Sequence, residues 1–465
     1  MDTRKPFFLV GIGGSGMMPL AMILAGQGYT VAGSDRSLDQ ARLPAKFDAL
    51  RALGIELYPQ DGSGITSPDQ IVVASAAIED TVADIIAATR IGAARMSRAE
   101  LLSRLFNASP VSIGVAGTSG KSTVTGMIGW ILHSVDREPT VMNGAVMKNF
   151  ARPEAPFASA LVGDGQVFVS EVDESDGSIA LYTPTIAVLN NVSLDHKSLD
   201  ELRALFGAFA ARAKTTIVNV GDAEAAALAA TLAGDIRTVA IETAADYRAE
   251  NLAPQPFAVG FELVHGGNRH SVRLAVPGRH NVANALAALA AADAAGVQLT
   301  EAIEAIADFR GLRRRFDLVG EAAGVAVIDD FGHNPDKIAA TLDTLHQFPG
   351  RLLLLFQPHG YGPLKVMRRE LVESIAARLA PDDVLVLPDP AYFGGTVARE
   401  VTSADIVADL RAAGADARHI ADRAEGAARL VEEARPGDRI VIMGARDDTL
   451  SQLAAEIVEK LASRD

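Results

Sequence analysis

Cysteine is absent from the sequence, which removes disulfide scaffolds, thiolate nucleophiles, cysteine-ligated zinc and iron–sulfur clusters from consideration together. Basic residues are in deficit: 43 Lys and Arg stand against 58 Asp and Glu, a formal charge of −15. That balance disfavours a nucleic-acid or anionic-membrane surface, so any phosphate ligand must be held by local geometry. No apolar run approaches the roughly 20 residues that span a bilayer, Arg351 to Phe356 being typical of the short ones. Repeats of fixed period, low-complexity tracts and long charge blocks are also missing. What remains, 49% hydrophobic and 22% charged over 465 residues, is an ordinary globular composition too long for one core, and about three domains are expected.

Arg4 and Lys5 followed by the uncharged stretch Pro6 to Gly33 superficially resemble a secretory signal. Gly11, Gly13, Gly14 and Gly16 would break such a helix and suit a strand-to-helix turn instead, so a soluble, cytoplasmic protein is expected. Short apolar runs (Phe7 to Val10, Ile113 to Ala116, Ile186 to Leu189, Leu352 to Phe356, Ile440 to Met443) alternate with longer amphipathic, Ala-rich stretches. This is the rhythm of an α/β protein with parallel sheets covered by helices, in three units. Breaks at Phe106 to Pro110 and near Gly311 to Arg315 divide it into 1–107, 108–313 and 314–465.

Gly114-Val115-Ala116-Gly117-Thr118-Ser119-Gly120-Lys121-Ser122-Thr123 follows an apolar strand and opens a helical run ending near Leu132. Glycines let backbone N–H groups close around phosphate oxygens, the helix N-terminus adds its dipole, Lys121 reaches the terminal phosphates and Ser122 suits Mg²⁺. Strict phosphate-loop spacing asks for glycine at 115, where valine stands. Downstream, the strand Val167 to Ser170 runs into Glu171, Asp173, Glu174 and Asp176, carboxylates suited either to Mg²⁺ or to a solvated turn. Asn190, Asn191, Asp195 and His196 form a second polar cluster. Near the N-terminus, Gly11, Gly13 and Gly16 match G-x-G-x-x-G, with Gly14 and Ser15 inside the turn and Asp35 about 20 residues on, so a dinucleotide such as NAD is one candidate ligand.

These segments, with Gly278-Arg279-His280-Asn281-Val282-Ala283-Asn284, Arg314-Arg315-Phe316 and Asp329-Asp330-Phe331-Gly332-His333-Asn334-Pro335, make seven ordered motifs over nearly the whole chain. Together they resemble the Mur ligase family, ATP-dependent enzymes that build the peptide of bacterial cell-wall precursors. The resemblance implies an N-terminal Rossmann-like UDP-binding domain, a central phosphate-loop ATPase-type domain and a C-terminal Rossmann-like domain. It also implies ATP and Mg²⁺, with a UDP-N-acetylmuramate-like nucleotide sugar and an amino acid or peptide as partners. A monomer or homodimer is expected.

By the same resemblance the UDP-sugar lies on Gly11, Gly13, Gly14, Ser15 and Gly16, with Ser34, Asp35, Ser75 and Arg98 around it. ATP lies on Gly117 through Thr123 (Thr118, Ser119, Gly120, Lys121 and Ser122 between), with His280, Asn281 and Asn284 facing the adenine; a helix cap is the plainer reading of those asparagines. Ser122, Glu171 and His196 are the implied metal ligands. Arg315 and Asp330 would reach the nucleotide from the C-terminal domain, with His333 close by, and Lys121, His196, Arg315 and His333 are the candidate catalytic residues.

The glycine turn and Gln357-Pro358-His359 are most like the alanine-adding branch of the family. Two departures stand out: that branch has arginine after Gln-Pro-His and again three residues later, where this chain has Gly360 and Pro363. Neither residue can grip a carboxylate bidentately. Lys365, Arg368 and Arg369 lie nearby as substitutes or as an ordinary helix start. Phe331 in place of tyrosine, and Asn149-Phe150, resemble the branch that attaches a ready-made tripeptide. Ser119 for histidine and Ser122 for threonine are further departures. A non-ligating nucleotide-binding regulatory relative is the alternative of another class.

Overall fold

Branched and aromatic residues in runs of four to six pair side by side into three sheets, because strands buried on both faces need continuous apolar sequence. The structure, a computed structural model, describes residues 5–76, 78–193, 197–391, 399–445 and 447–464. The first sheet is wholly parallel, in spatial order Glu56–Tyr58, Val31–Ser34, Phe7–Val10, Ile71–Ala74, Ala94–Ser97. The second is ten-stranded. Its middle is parallel, with Val111–Ala116 between Ile186–Leu189 and Val167–Glu171, and its far flank is carried by the long strands Tyr247–Gln255, Ala258–His265 and Asn268–Leu274. The third has Asp317–Ala322 antiparallel at one edge, then Val325–Asp330, Arg439–Gly444, Leu352–Gln357, Val384–Leu387 and Ala417–His419 in parallel. The α/β class and the parallel sheets expected from sequence are both present.

The chain separates into two compact units, Met1–Ala253 with Gly260–Ala275 and His280–Gly311, and Pro254–Val259 with Val276–Arg279 and Leu312–Asp465. The first unit holds two sheets because one apolar core runs through both. The helix Arg98–Asn107 ends and the strand Val111–Ala116 begins either side of the Ala108–Pro110 turn, yet Phe106 is fully buried. Its ring meets Phe168 and Tyr182 edge to face at 5.9 and 5.2 Å, the preferred aromatic geometry. Asn107 clamps the turn, donating to the Leu181 carbonyl at 2.8 Å and accepting from the Thr183 N–H at 2.9 Å. In the second unit, apolar side chains pack on both faces of the sheet.

Candidate active site

The strand Phe7–Val10, buried at every position, delivers the chain into the glycine turn and so to the N-terminus of the helix Met17–Gly26. The turn closes on itself, the Gly14 N–H donating to the Gly11 carbonyl at 3.0 Å. Asp35 is built into it: one carboxylate oxygen accepts from the Gly13 N–H at 2.8 Å and the other from the Ser37 N–H at 2.7 Å. The acid that would read a ribose in a dinucleotide fold is therefore already engaged by backbone. Ser34 is fully buried, its hydroxyl donating to Asp84 and its carbonyl accepting from the N–H groups of Gly11 and Ile12. Burial pushes the Asp84 carboxyl above the usual range, against the pull of its bonds to Ser34 and Gly62. Ser75 is half-buried just beyond the strand Ile71–Ala74. Arg98 does reach the turn, since a Cβ on Gly16 would lie 3.2 Å from its Nη1. A helix N-terminus beside a guanidinium suits an anionic group such as a pyrophosphate.

The phosphate loop uses the same strand–loop–helix device with different bracing. Gly117 (φ +132°) and Gly120 (φ +84°) take left-handed backbone, and a side chain on Gly120 would collide with Asn190 and Asn284. The helix Lys121–Ser134 follows directly. Asn191 holds the loop through its Oδ1, which accepts from the Ser119 N–H at 2.8 Å, and its Nδ2, which donates to the Ser119 carbonyl at 3.0 Å. Asn190 donates to that carbonyl at 3.1 Å and to Asn284 Oδ1 at 2.9 Å, and Asn284 donates to Asn281 at 3.1 Å. Asn281 and Asn284, both buried, thus brace the loop from the helix Arg279–Ala294, whereas His280 is exposed. Thr118 Oγ1 donates to the Ser193 carbonyl and accepts from its N–H, both at 3.0 Å. Asn143 donates to the Ser122 carbonyl at 2.8 Å; nothing in its sequence context marks it, because the strand Thr140–Met142 brings it there through the sheet.

Lys121 Nζ donates to the Gly117 carbonyl at 2.7 Å and to Glu174 at 3.0 Å. Ser122 Oγ donates to Glu171 Oε2 at 2.8 Å, and Gly144 leaves Glu171 its place, since a side chain there would meet the carboxylate. A hydroxyl and a carboxylate side by side are hard oxygen donors that fit Mg²⁺, which takes few protein ligands and fills its shell with water and phosphate. Among the described residues no three His, Asp or Glu gather as a metal-holding group. Asp195 and His196, the latter an expected metal ligand, lie outside the described residues. Partial loss of hydration opposes ionisation of Asp173, yet Lys121, the Ser175 hydrogen bonds and Arg98 hold its carboxyl below the ordinary range. Asp176 faces Arg98 at 3.9 Å. One acidic segment therefore bears on both glycine loops.

In the second unit, the candidate residues gather at the carboxyl ends of parallel strands, where open α/β sheets bind ligands. Asp330 is buried, with one oxygen accepting from the Phe316 N–H (2.8 Å) and the other from the Gly332 N–H (3.1 Å) and Thr341 (2.8 Å). It braces this loop. Arg315 and Arg314 stack on the Phe331 ring, their Cζ atoms 4.1 and 5.1 Å from its centroid. His333 meets Phe331 and His359 edge to face at 5.4 and 5.1 Å. Burial, with the charges of Lys337, His359 and Arg315, pushes the His333 imidazole down to about 3, against its contact with the Phe331 carbonyl. Its Nδ1 lies 2.8 Å from that carbonyl, which only accepts, so the neutral ring carries its proton on Nδ1 and leaves Nε2 as a lone pair. Burial likewise pushes Asp329 up to about 6, against the pull of Arg314.

Each of the three nearby cations that could substitute for the missing arginines pairs with a carboxylate instead. Arg368 is held by Asp409 through Nε and Nη2 at 2.7 and 3.0 Å, and Lys365 pairs with Glu400. Arg369 is exposed beside Glu370 and Glu373. Asn149 ties down the Asp308–Arg310 segment, and Phe150 packs edge to face against Trp130 and His133, so both act as internal packing.

Three family models match the chain in succession: Mur ligase family, catalytic domain over residues 7–110; Mur ligase middle domain over 115–292; and Mur ligase, glutamate ligase domain over 314–446. The UDP-N-acetylmuramate–L-alanine ligase of Streptomyces coelicolor is 37% identical over 470 residues, covering 98% of each chain. That of Caldicellulosiruptor bescii is 32% identical, covering 95% of this chain and 96% of its own. Among solved structures, the UDP-N-acetylmuramate–alanine ligase of Thermotoga maritima superposes with a TM-score of 0.81 at 25% identity, over 99% of this chain and 100% of its own. A murein peptide ligase of Psychrobacter arcticus shares the fold, with a TM-score of 0.71 at 23% identity over 98% and 99%.

Proposed function

The chain belongs to the Mur ligase family, and from that membership and its phosphate-loop geometry we propose that it joins the carboxylate of UDP-N-acetylmuramate to L-alanine. It is an ATP-dependent ligase that forms carbon–nitrogen bonds, in peptidoglycan precursor synthesis. The observation that carries the choice of substrates is identity of 37% across 98% of both chains with a ligase of that name. In this reading residues 1–107 hold the nucleotide sugar, 108–313 hold ATP, and 314–465 form the C-terminal ligase domain. No described helix is long and apolar enough to cross a membrane, and ATP and nucleotide sugars imply a cytoplasmic place of work.

The chemistry follows from the weakness of a carboxylate as an electrophile. Its oxygen attacks the γ-phosphorus of ATP, the bond to the β-phosphate oxygen breaks, and ADP leaves an acyl phosphate. The amine nitrogen then attacks the acyl carbon, phosphate departs with the electron pair of the broken C–O bond, and the amine loses a proton as the amide forms. Lys121 neutralises charge on the moving phosphoryl group. Ser122 and Glu171 would hold Mg²⁺, which when bound screens the triphosphate charge. Arg98 and the glycine turn fix the pyrophosphate of the nucleotide sugar, which converts an encounter into a positioned reaction. His333, whose Nδ1 proton is engaged by the Phe331 carbonyl, has Nε2 as the ring nitrogen able to accept a hydrogen bond from the amine.

A second amine, a peptide, is favoured by one observation: Arg368 and Lys365 are tied to Asp409 and Glu400, so neither supplies the missing grip on a small amino-acid carboxylate. Phosphate release with ATP, Mg²⁺, UDP-N-acetylmuramate and a panel of L-amino acids and tripeptides decides between them. Release dependent on L-alanine, with UDP-N-acetylmuramoyl-alanine identified by mass, supports the first reading; release with a tripeptide alone replaces it.

A further inference from the structure

We propose that Glu174 is a positioning residue that governs how Lys121 is presented to ATP. The inference rests on the reading of Lys121 as the phosphate-binding lysine. Among the carboxylates that follow the strand Val167–Glu171, Glu174 is the buried one, its side chain 5% exposed, and Lys121 Nζ stands 3.0 Å from its Oε2. The other acids of the segment make different hydrogen bonds: Glu171 accepts from Ser122, Asp173 from the Ser175 N–H while feeling Lys121 only through its charge, and Asp176 from the Ser178 N–H while facing Arg98. A buried carboxylate is costly unless a cation and hydrogen bonds compensate it, and Lys121 supplies both.

The consequence lies in the donor count of the lysine. An ammonium has three N–H groups, and two are directed at the Gly117 carbonyl, 2.7 Å away, and at Glu174. Those two acceptors, one from the loop itself and one from the segment after the next strand, fix the direction of the third. They also set a competition, because phosphate oxygens entering the loop must share Lys121 with an anion already 3.0 Å from it. Glu174 therefore does two opposed things: it weakens ground-state attraction between Lys121 and nucleotide, and it orients the ammonium for the phosphoryl oxygen on which charge develops. Interactions of the second kind raise turnover, whereas those of the first kind only change affinity.

Glu174→Gln keeps the shape and an acceptor while removing the charge, which separates the two. In the full-length protein with Mg²⁺, calorimetric affinity for a non-hydrolysable ATP analogue should rise about three- to tenfold, and kcat for phosphate release should fall about tenfold or more. The KM for UDP-N-acetylmuramate should stay unchanged, and Glu174→Asp should restore part of kcat where Gln does not. Parental affinity together with parental kcat in the folded Gln variant overturns the proposal. So does loss of affinity and turnover together at a lowered melting temperature, which is the mark of a purely structural residue. If the Gln variant does not fold, Glu174→Asp carries the test: its shorter arm should give the same two shifts at reduced size, and no shift in either overturns the proposal. Failure of the parent protein itself to bind the analogue would instead sink the assignment of Lys121 and the ATP site with it.

Discussion

The two glycine loops of the first unit are built on one plan and finished differently. Each leaves a buried parallel strand and enters a helix N-terminus, at Met17 in one and Lys121 in the other. The first is locked by a carboxylate, Asp35, bonded to backbone N–H groups of the turn and of Ser37, and its cation, Arg98, arrives from a separate helix. The second is locked by neutral amides, Asn191, Asn190 and Asn284, and carries its cation, Lys121, within the loop. The difference matches the work proposed for each. A pyrophosphate that only has to be held needs oriented N–H groups and a fixed guanidinium, which is planar and permanently charged. A phosphoryl group that moves needs a compact cation on a flexible stem, and a lock that adds no negative charge beside the triphosphate.

The sharpest way to break this comparison is Lys121→Ala. Turnover of ATP should fall by about a hundredfold to a thousandfold while binding of UDP-N-acetylmuramate stays near its parental value, and the melting temperature should drop because Glu174 loses its cation. Equal loss of both ligands by calorimetry would show that the two loops are not independent. Next in size, Asp35→Ala removes two charge-assisted hydrogen bonds, each worth about 1.5 to 3 kcal/mol. UDP-N-acetylmuramate affinity should drop at least about tenfold with affinity for ATP intact. If ATP affinity falls as far, the turn is merely a structural part of the shared core.

The C-terminal cluster adds a third term, in which a titrating group is neutral by burial. His333 has its imidazole pushed down to about 3, from an unfolded value near 6.5. Between those values the unfolded chain binds a proton that the folded chain refuses, so stability falls as pH falls through that window, by about 1.4 kcal/mol per pH unit at most. His333→Gln should flatten this loss between pH 6.5 and 5, measured by urea denaturation against the parent. Asp329, pushed up to about 6, acts in the opposite sense, taking up a proton on folding below that pH, and persists in both proteins as a common background. The smallest effect is expected at Arg368. Because Asp409 holds it through two hydrogen bonds, Arg368→Ala should leave the KM of the amine substrate within about twofold. A large rise in that KM would mean that the side chain leaves Asp409 for the substrate.

Legibility varied with how local the cause was. The apolar strands such as Phe7–Val10, Ile186–Leu189 and Leu352–Gln357, the two glycine loops and the position of the Ala108–Pro110 turn could be read because apolar runs, glycines and a proline act on their immediate neighbours. That Asp35, Asp330 and Asn284 brace their loops could not: each belongs to a motif read for ligand contact, and the bonds to backbone or to another buried side chain come only from the fold. Asn143 and Gly144 gave no signal at all, since they serve Ser122 and Glu171 only through strand pairing.

What the sequence determined by itself was the chemistry available: no thiol, a lysine and serine after a glycine loop, carboxylates at the end of the next strand, and a family whose motifs run in order from end to end. The tertiary structure alone decided which of those groups meet. Glu174 rather than Glu171, Asp173 or Asp176 bonds to Lys121, 53 positions away, because strand order and burial bring them together, and Arg368 faces Asp409, 41 positions away, because their two helices pack side by side. Charges of one kind within a few residues of each other are interchangeable in sequence; in the fold, the one that loses its water must find the cation.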